Sequence, residues 1–296
     1  MPSERDRAPV TLRAAERAVA ARLRAAGIDT PDLDARLLVE AASGTNRLTW
    51  IREPDAGMLP ATTLRLEEFV RQRLARVPVS RILGEREFYG RAFEITPATL
   101  DPRPDSETLI ETALAIFDAE GWRDQDKRIL DIGTGSGCLL VTLLAELPRA
   151  SGLGTDVDPG ALAVAARNGV RHGVSGRAAW RIARSLQNVA GRFQLIVSNP
   201  PYVRSADIAG LAPEVRQYDP HTALDGGPDG LAIVREIVAG LDGSGLAGWC
   251  LFEAGFDQAA EIVALLHGCA RIDPTSVRVA RDLAGQGRCV AAKSHF

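Results

Sequence analysis

The chain of 296 residues is 46% apolar and 25% charged, a composition that excludes disordered and fibrous classes and allows one large domain plus a smaller one. A net charge of −3 and a pI near 5.9 supply no basic field for a non-specific grip on nucleic acid. The four cysteines, Cys138, Cys250, Cys269 and Cys289, lack the spacing of a zinc or redox pair and read as small buried residues in a reducing compartment. Residues 1–10 are charged, without the apolar core of a signal peptide, and are expected to fray. No run has the length of a membrane span, so the expected location is the cytoplasm.

The periodicity predicts three helices in the first 80 residues. In residues 10–26, Leu12, Ala15, Val19 and Leu23 form one apolar face, ended by Gly27. A second helix starts with Pro31 after Thr30 and runs to Gly44. A third covers residues 61–76 and stops before Pro78. Acids interleave with the arginines of this region, which reads as a solvated helical surface rather than a nucleic-acid patch. From Ile82 to Thr96 the alternation predicts a β-hairpin with its turn near Gly90 and Arg91. Pro102 and Pro104 then stiffen an extended segment. Asp105 or Ser106 would cap a helix over residues 107–120, with Glu107 as an acid near its N-terminus. Arg103 and Glu107 belong either to that linker and cap or to a lid over a binding site.

From Lys127 strands and helices alternate. Strands are predicted at 129–132, 152–157, 178–182, 193–197 and 249–253. Helices are predicted at 138–146, 159–168, 230–241 and 258–266. Two closing strands, 276–280 and 288–292, have no helix between them and should pair as an antiparallel hairpin at one edge. The pattern predicts a parallel sheet covered on both faces.

Three strand ends carry chemistry-bearing residues. Asp131-Ile132-Gly133-Thr134-Gly135-Ser136-Gly137 follows a strand and opens a helix, but its spacing is G-x-G-x-G rather than the G-x-G-x-x-G of dinucleotide binders. The glycines let backbone approach a ligand, while Asp131 would repel a pyrophosphate and suits a cationic amino group. Asp156 ends the next strand, where an acid can accept from ribose hydroxyls. Ser198-Asn199-Pro200-Pro201-Tyr202 ends a third. Two prolines forbid helix there, leaving an amide, carbonyl oxygens and an aromatic ring that could hold a flat, amide-bearing group. All three lie where open α/β sheets bind ligands.

These motifs resemble those of class I S-adenosylmethionine-dependent methyltransferases that methylate planar nitrogens. Residues 77–90, Pro102 to Glu107, and 214–230 further resemble the HemK/PrmC family, the bacterial release-factor glutamine methyltransferases, over essentially the whole chain. The resemblance implies a Rossmann-like sheet of seven strands, the last hairpin antiparallel, with a small all-helical N-terminal domain. The expected boundaries are 1–80 for substrate docking, 81–105 for hairpin and linker, and 106–296 for the S-adenosylmethionine-binding domain. It implies methyl transfer to the glutamine side-chain nitrogen in the Gly-Gly-Gln loop of peptide chain release factors, with S-adenosylhomocysteine as product. The protein would act as a monomer, without metal, membrane or direct nucleic-acid contact.

The same resemblance assigns cofactor binding to Asp131, Gly133, Thr134, Gly135, Ser136, Gly137, Asp156 and Asn199, to which Arg184 is added below. It assigns substrate binding to Asn199, Pro200, Pro201, Tyr202, Arg103 and Glu107, with Asn199, Pro200 and Tyr202 in the catalytic role. One position departs: where the family has an acid near the adenine ring, this chain reads Ala183-Arg184-Ser185, and Arg184 is expected to stack on the ring in its stead. Arg216 and Asp219 are expected to tie down a loop, and Glu253 to shape the substrate pocket. The alternatives are an adenine N6-methyltransferase, which shares Asn-Pro-Pro-Tyr but needs a basic target-recognition region, a glutamine methyltransferase paralogue with another protein substrate, and a non-catalytic binding module.

Overall fold

A computed structural model describes residues 10–45, 47–53, 55–243 and 245–295; the segment expected to fray lies, but for Val10, outside the described residues. The chain divides into two compact units, 1–84 and 85–296. Among the described residues no helix is long and apolar enough to cross a membrane.

The first unit is helical: α1 (Leu12–Ala25), α2 (Pro31–Ser43), α3 (Arg47–Arg52), α4 (Pro60–Leu74) and α5 (Val79–Leu83). Thr11 caps α1 by accepting from the Ala14 N–H, Pro31 opens α2, and Gly44 closes it in the left-handed region. The predicted faces pack around Leu23, Leu38, Val39 and Val70. Inside this core Arg73 Nε donates to Asp34 at 2.7 Å, a buried ion pair.

The second unit begins with a hairpin, β1 (Glu85–Phe88) and β2 (Arg91–Glu94). Two expectations shift here. Ile82 and Leu83 belong to α5 rather than the hairpin, because Gly84 takes φ +71° and ends a helical turn. The turn residues are Tyr89 and Gly90, one position earlier than predicted, since Phe88 pairs with Arg91. Both have positive φ, 51° and 71°, as a two-residue type I′ turn requires.

Helix α6 (Glu107–Ala119) follows. Then β3 (Arg128–Ile132), α7 (Cys138–Glu146), β4 (Ser151–Asp156), α8 (Pro159–Arg171), β5 (Ala178–Ile182) and β6 (Phe193–Ser198) alternate. After a long loop holding α9 (Pro213–Tyr218) come α10 (Ala232–Gly240), β7 (Leu246–Glu253), α11 (Ala259–His267), β8 (Arg278–Arg281) and β9 (Gly287–Lys293). The strands form one seven-stranded sheet in the order β5-β4-β3-β6-β7-β9-β8, with β9 antiparallel to both its neighbours. Strand residues alternate between two cores, as period two demands: Ile129, Val197 and Leu251 pack with α6 and α7, while Leu130, Ile196 and Cys250 pack with α10 and α11. The chain leaves β3 toward β4 on one side and returns through β6 on the other, so the sheet switches direction at β3.

Candidate active site

The registers align the carboxyl ends at that switch. Ile132 pairs with Thr155 on one side and Ser198 on the other, and Ser198 pairs with Phe252. Asp156, Asn199 and Glu253, each one residue further, therefore stand at neighbouring strand tips. Gly135, Asp156 and Asn199 line a single cavity of about 450 Å³, inside the range of small-molecule sites.

The glycine turn is shaped by its own hydrogen bonds. Gly133, Gly135 and Gly137 all take positive φ, 73°, 54° and 79°. The Gly133 and Thr134 N–H groups both donate to the Thr155 carbonyl at 2.9 and 2.8 Å, and the Gly135 N–H donates to Asp156 Oδ2 at 2.9 Å. Donors that a dinucleotide loop aims at a pyrophosphate are spent here on β4. Asp156 Oδ1 accepts from the Asp158 N–H at 3.0 Å, which leaves lone pairs on both carboxylate oxygens toward the cavity it lines. Burial raises the pKa of Asp156, and the backbone N–H groups of Asp158 and Gly135 pull it back.

Gly133, Thr134, Gly135, Ser136, Asp156, Arg184, Asn199, Pro200, Pro201 and Arg103 all line the cavity. Four of the expected site residues, Asp131, Gly137, Glu107 and Tyr202, do not line it. Asp131 is fully buried; its Oδ2 accepts from Thr134 Oγ1 at 2.6 Å and so braces the turn from beneath, while its Oδ1 has no hydrogen-bond partner among the described residues. Burial pushes its pKa up to about 7. Gly137 starts α7, and a Cβ there would sit 3.2 Å from Trp180. Glu107 accepts from the Tyr89 N–H at 3.0 Å and fastens the hairpin turn to α6. Tyr202 lies behind the cavity wall, its carbonyl accepting from Gln258 Nε2 at 3.0 Å, and burial raises its phenol pKa.

Both cavity arginines are already paired. Arg103 donates to Asp219 at 2.5 Å, strapping the proline segment to the loop that precedes α10. Arg184 makes a two-pronged contact with Glu236, 3.0 and 2.6 Å, a tether that stacking on a ring would have to share. With the guanidinium charges matched, Asp156, Asp158 and Asp225 give the walls an acidic character. That lining, rich in acceptors, suits a cationic ligand better than a phosphorylated one.

Sequence reasoning missed Ser106. It read the residue as a helix cap, but Ser106 makes no cap bond; its Oγ accepts from Asn199 Nδ2 at 3.1 Å. Serine before a helix carries a strong capping signal, and no local pattern separates that from a contact 93 positions away. Asp219 and Asn168 were likewise illegible as partners. Asn168 is fully buried and clasps the Glu94 backbone and the Ser136 carbonyl, binding hairpin, glycine turn and α8 together.

The chain matches the PrmC N-terminal domain over residues 14–84 and the methyltransferase small domain over residues 107–214. It is 42% identical to a release factor glutamine methyltransferase of Bradyrhizobium diazoefficiens, over 96% of this chain and 95% of that one. It is 43% identical to a protein of the same name from Cereibacter sphaeroides, over 95% and 99%. Among solved structures, the hMettl16 catalytic domain in complex with a MAT2A 3′UTR hairpin superposes with a TM-score of 0.54 at 19% identity, over 70% of this chain and 76% of that one, a likeness of fold alone. Sequence, sheet order and site geometry agree: the chain belongs to the family of release factor glutamine methyltransferases.

Proposed function

We propose that the protein transfers a methyl group from S-adenosylmethionine to the side-chain nitrogen of the glutamine in the Gly-Gly-Gln loop of peptide chain release factors. The observation that carries this reading is the convergence of the Gly135 turn, Asp156 and Asn199 on one cavity in a chain of this family. When bound, the cofactor supplies a methyl group already activated on a sulfonium; the protein supplies position and electrostatics.

Asp156 would accept from the ribose hydroxyls, and the glycine turn, braced by Asp131 through Thr134 and tied to Asp156 through Gly135, would lay its backbone against the ligand. A glutamine amide is a weak nucleophile because its nitrogen lone pair is delocalised. With Nδ2 committed to Ser106, Asn199 keeps its carbonyl oxygen for one N–H of the substrate, and the Pro200 carbonyl takes the other. The two carbonyls would hold the substrate nitrogen facing the methyl group, the main source of acceleration; the nitrogen would lose its proton to solvent after transfer, and S-adenosylhomocysteine would leave. Tyr202 supports the turn from behind, while Arg103 holds the proline segment beside it. The acidic walls favour a sulfonium over anionic competitors. The helical unit 1–84 serves as the docking surface for the protein substrate, and the acidic pI favours a protein over a nucleic acid as partner.

Paired variants test these roles. Asn199→Ala should lower turnover at least about a hundredfold while cofactor affinity by calorimetry stays within about threefold. Asp156→Ala should show the reverse, an affinity loss of about tenfold or more. Near-normal turnover in Asn199→Ala, or unchanged affinity in Asp156→Ala, would remove that residue from its role.

A further inference from the structure

Glu253 is the last residue of β7 and stands beside Asn199, because their preceding residues, Phe252 and Ser198, are paired across β7 and β6. It is 1% exposed, and neither carboxyl oxygen has a hydrogen-bond partner among the described residues. A buried carboxyl without partners is costly, and nothing in the packing of β7 calls for one. The Ser106 hydroxyl lies near it, short of a formed bond, and favours its charged form. Ser106 is itself buried and already accepts from Asn199 Nδ2. One hydroxyl thus bonds the amide and lies beside the carboxyl.

We propose that Glu253 is a positioning residue for methyl transfer: as a carboxylate it accepts a hydrogen bond from the Ser106 hydroxyl, and this fixes which end of the Asn199 amide faces the substrate. The inference rests on the reading of Asn199 given above. When Glu253 is ionised, Ser106 can only donate to it, so the Ser106 lone pairs face Asn199 and hold its NH₂ group. The Asn199 carbonyl is then the end presented to the substrate N–H. When Glu253 is protonated it donates to Ser106, and the freed hydroxyl can turn to the Asn199 carbonyl. The amide then flips, and an acceptor at the reacting nitrogen becomes a donor.

The surroundings place this change near neutrality. Burial is the largest influence on Glu253 and raises its pKa to about 7; Ser106 and Arg288 pull against it. The charged and titratable groups facing it are Arg288 and Cys289 on β9, Asp105 and Arg103 ahead of α6, Tyr202 after β6 and Cys138 at the start of α7. Arg288 is shared among Asp105 and Asp282 at 3.1 Å each, and Arg103 is held by Asp219. No cation is therefore dedicated to Glu253.

The test uses the full chain and two readouts. The first is the pH dependence of methyl transfer from labelled S-adenosylmethionine to purified release factor. Wild-type turnover should fall below a pH near 7. Glu253→Gln and Ser106→Ala should lose that limb and about tenfold in turnover at pH 8, with cofactor affinity unchanged, while Ser106→Thr, which keeps the hydroxyl, should retain both limb and rate. The second needs no substrate. The side-chain amide NMR signal of Asn199, identified by its loss in Asn199→Ala, should move with pH through the same midpoint in wild type and stay fixed in Glu253→Gln. A signal that ignores pH in wild type, or still titrates in Glu253→Gln, overturns the proposal, as does a full limb and rate in both Glu253→Gln and Ser106→Ala. If release factor is not methylated while the amide still titrates, the substrate reading fails and the network stands.

Discussion

Asp131 and Glu253 are two carboxyl groups sealed in the same unit, and burial raises the pKa of each to about 7. A raised carboxyl pKa means that the folded state favours the neutral form. Its contribution to stability is complete below the unfolded value near 4 and is lost as pH climbs through about 7. Asp131→Asn keeps an oxygen for the Thr134 hydroxyl but cannot ionise. Relative to wild type it should therefore gain stability between pH 4 and pH 8, by up to about 4 kcal/mol, read from urea midpoints at the two pH values. A difference that does not change with pH would mean that Asp131 is ionised throughout. At this scale the sequence was informative about residue type and less so about contact. Asp156 and Asn199 were legible because strand ends and prolines fix where a side chain must sit. The bond from Thr134 to Asp131 was not legible, because the place of Asp131 in the motif is the same whether it meets a ligand or braces the turn.

The segment from Ala223 to Gly230 shows what the elements add. Its backbone crosses the Asn-Pro-Pro-Tyr turn: the Val203 N–H donates to the Leu224 carbonyl at 3.0 Å, and the Gly226 N–H returns to the Val203 carbonyl at 2.8 Å. A Cβ on Gly226 would stand 2.5 Å from the Pro201 carbonyl oxygen, so glycine is required by close approach. Gly226→Ala should displace the turn, costing about 1–3 kcal/mol in stability and at least about tenfold in turnover, whereas Gly176→Ala, at an exposed position with nothing within 4 Å, should leave turnover unchanged. Equal behaviour of the two variants would mean that the loop does not set the geometry of the turn. The longer helices and the central strands of the sheet were readable from periodicity, since each buries one face or both. The short helices α3, α5 and α9 were not, because five or six residues hold too few turns to display a period.

For the whole molecule, the sheet order and its switch point explain why residues from three strands meet; the alternation of strands and helices predicted a parallel sheet with a closing antiparallel hairpin, but not that order. The choice of substrate does not follow from the sheet. The hMettl16 domain shares the fold at 19% identity and was crystallised with an RNA hairpin, so the family assignment rests on the relatives that match both units of this chain. The resemblance of residues 77–90 and 214–230 to one branch was visible in the sequence, and the structure gives part of it a physical basis: Gly84 ends α5, Tyr89 and Gly90 form the hairpin turn that Glu107 fastens, and Asp219 anchors Arg103. The central claim is that this cavity methylates a protein amide. The direct measurement is incubation with labelled S-adenosylmethionine and either purified, unmethylated release factor or DNA, followed by mass spectrometry of the Gly-Gly-Gln peptide. One methyl group on the glutamine side-chain nitrogen, absent with Asn199→Ala, is the predicted result; label on DNA, or on release factor at any other residue, would contradict it.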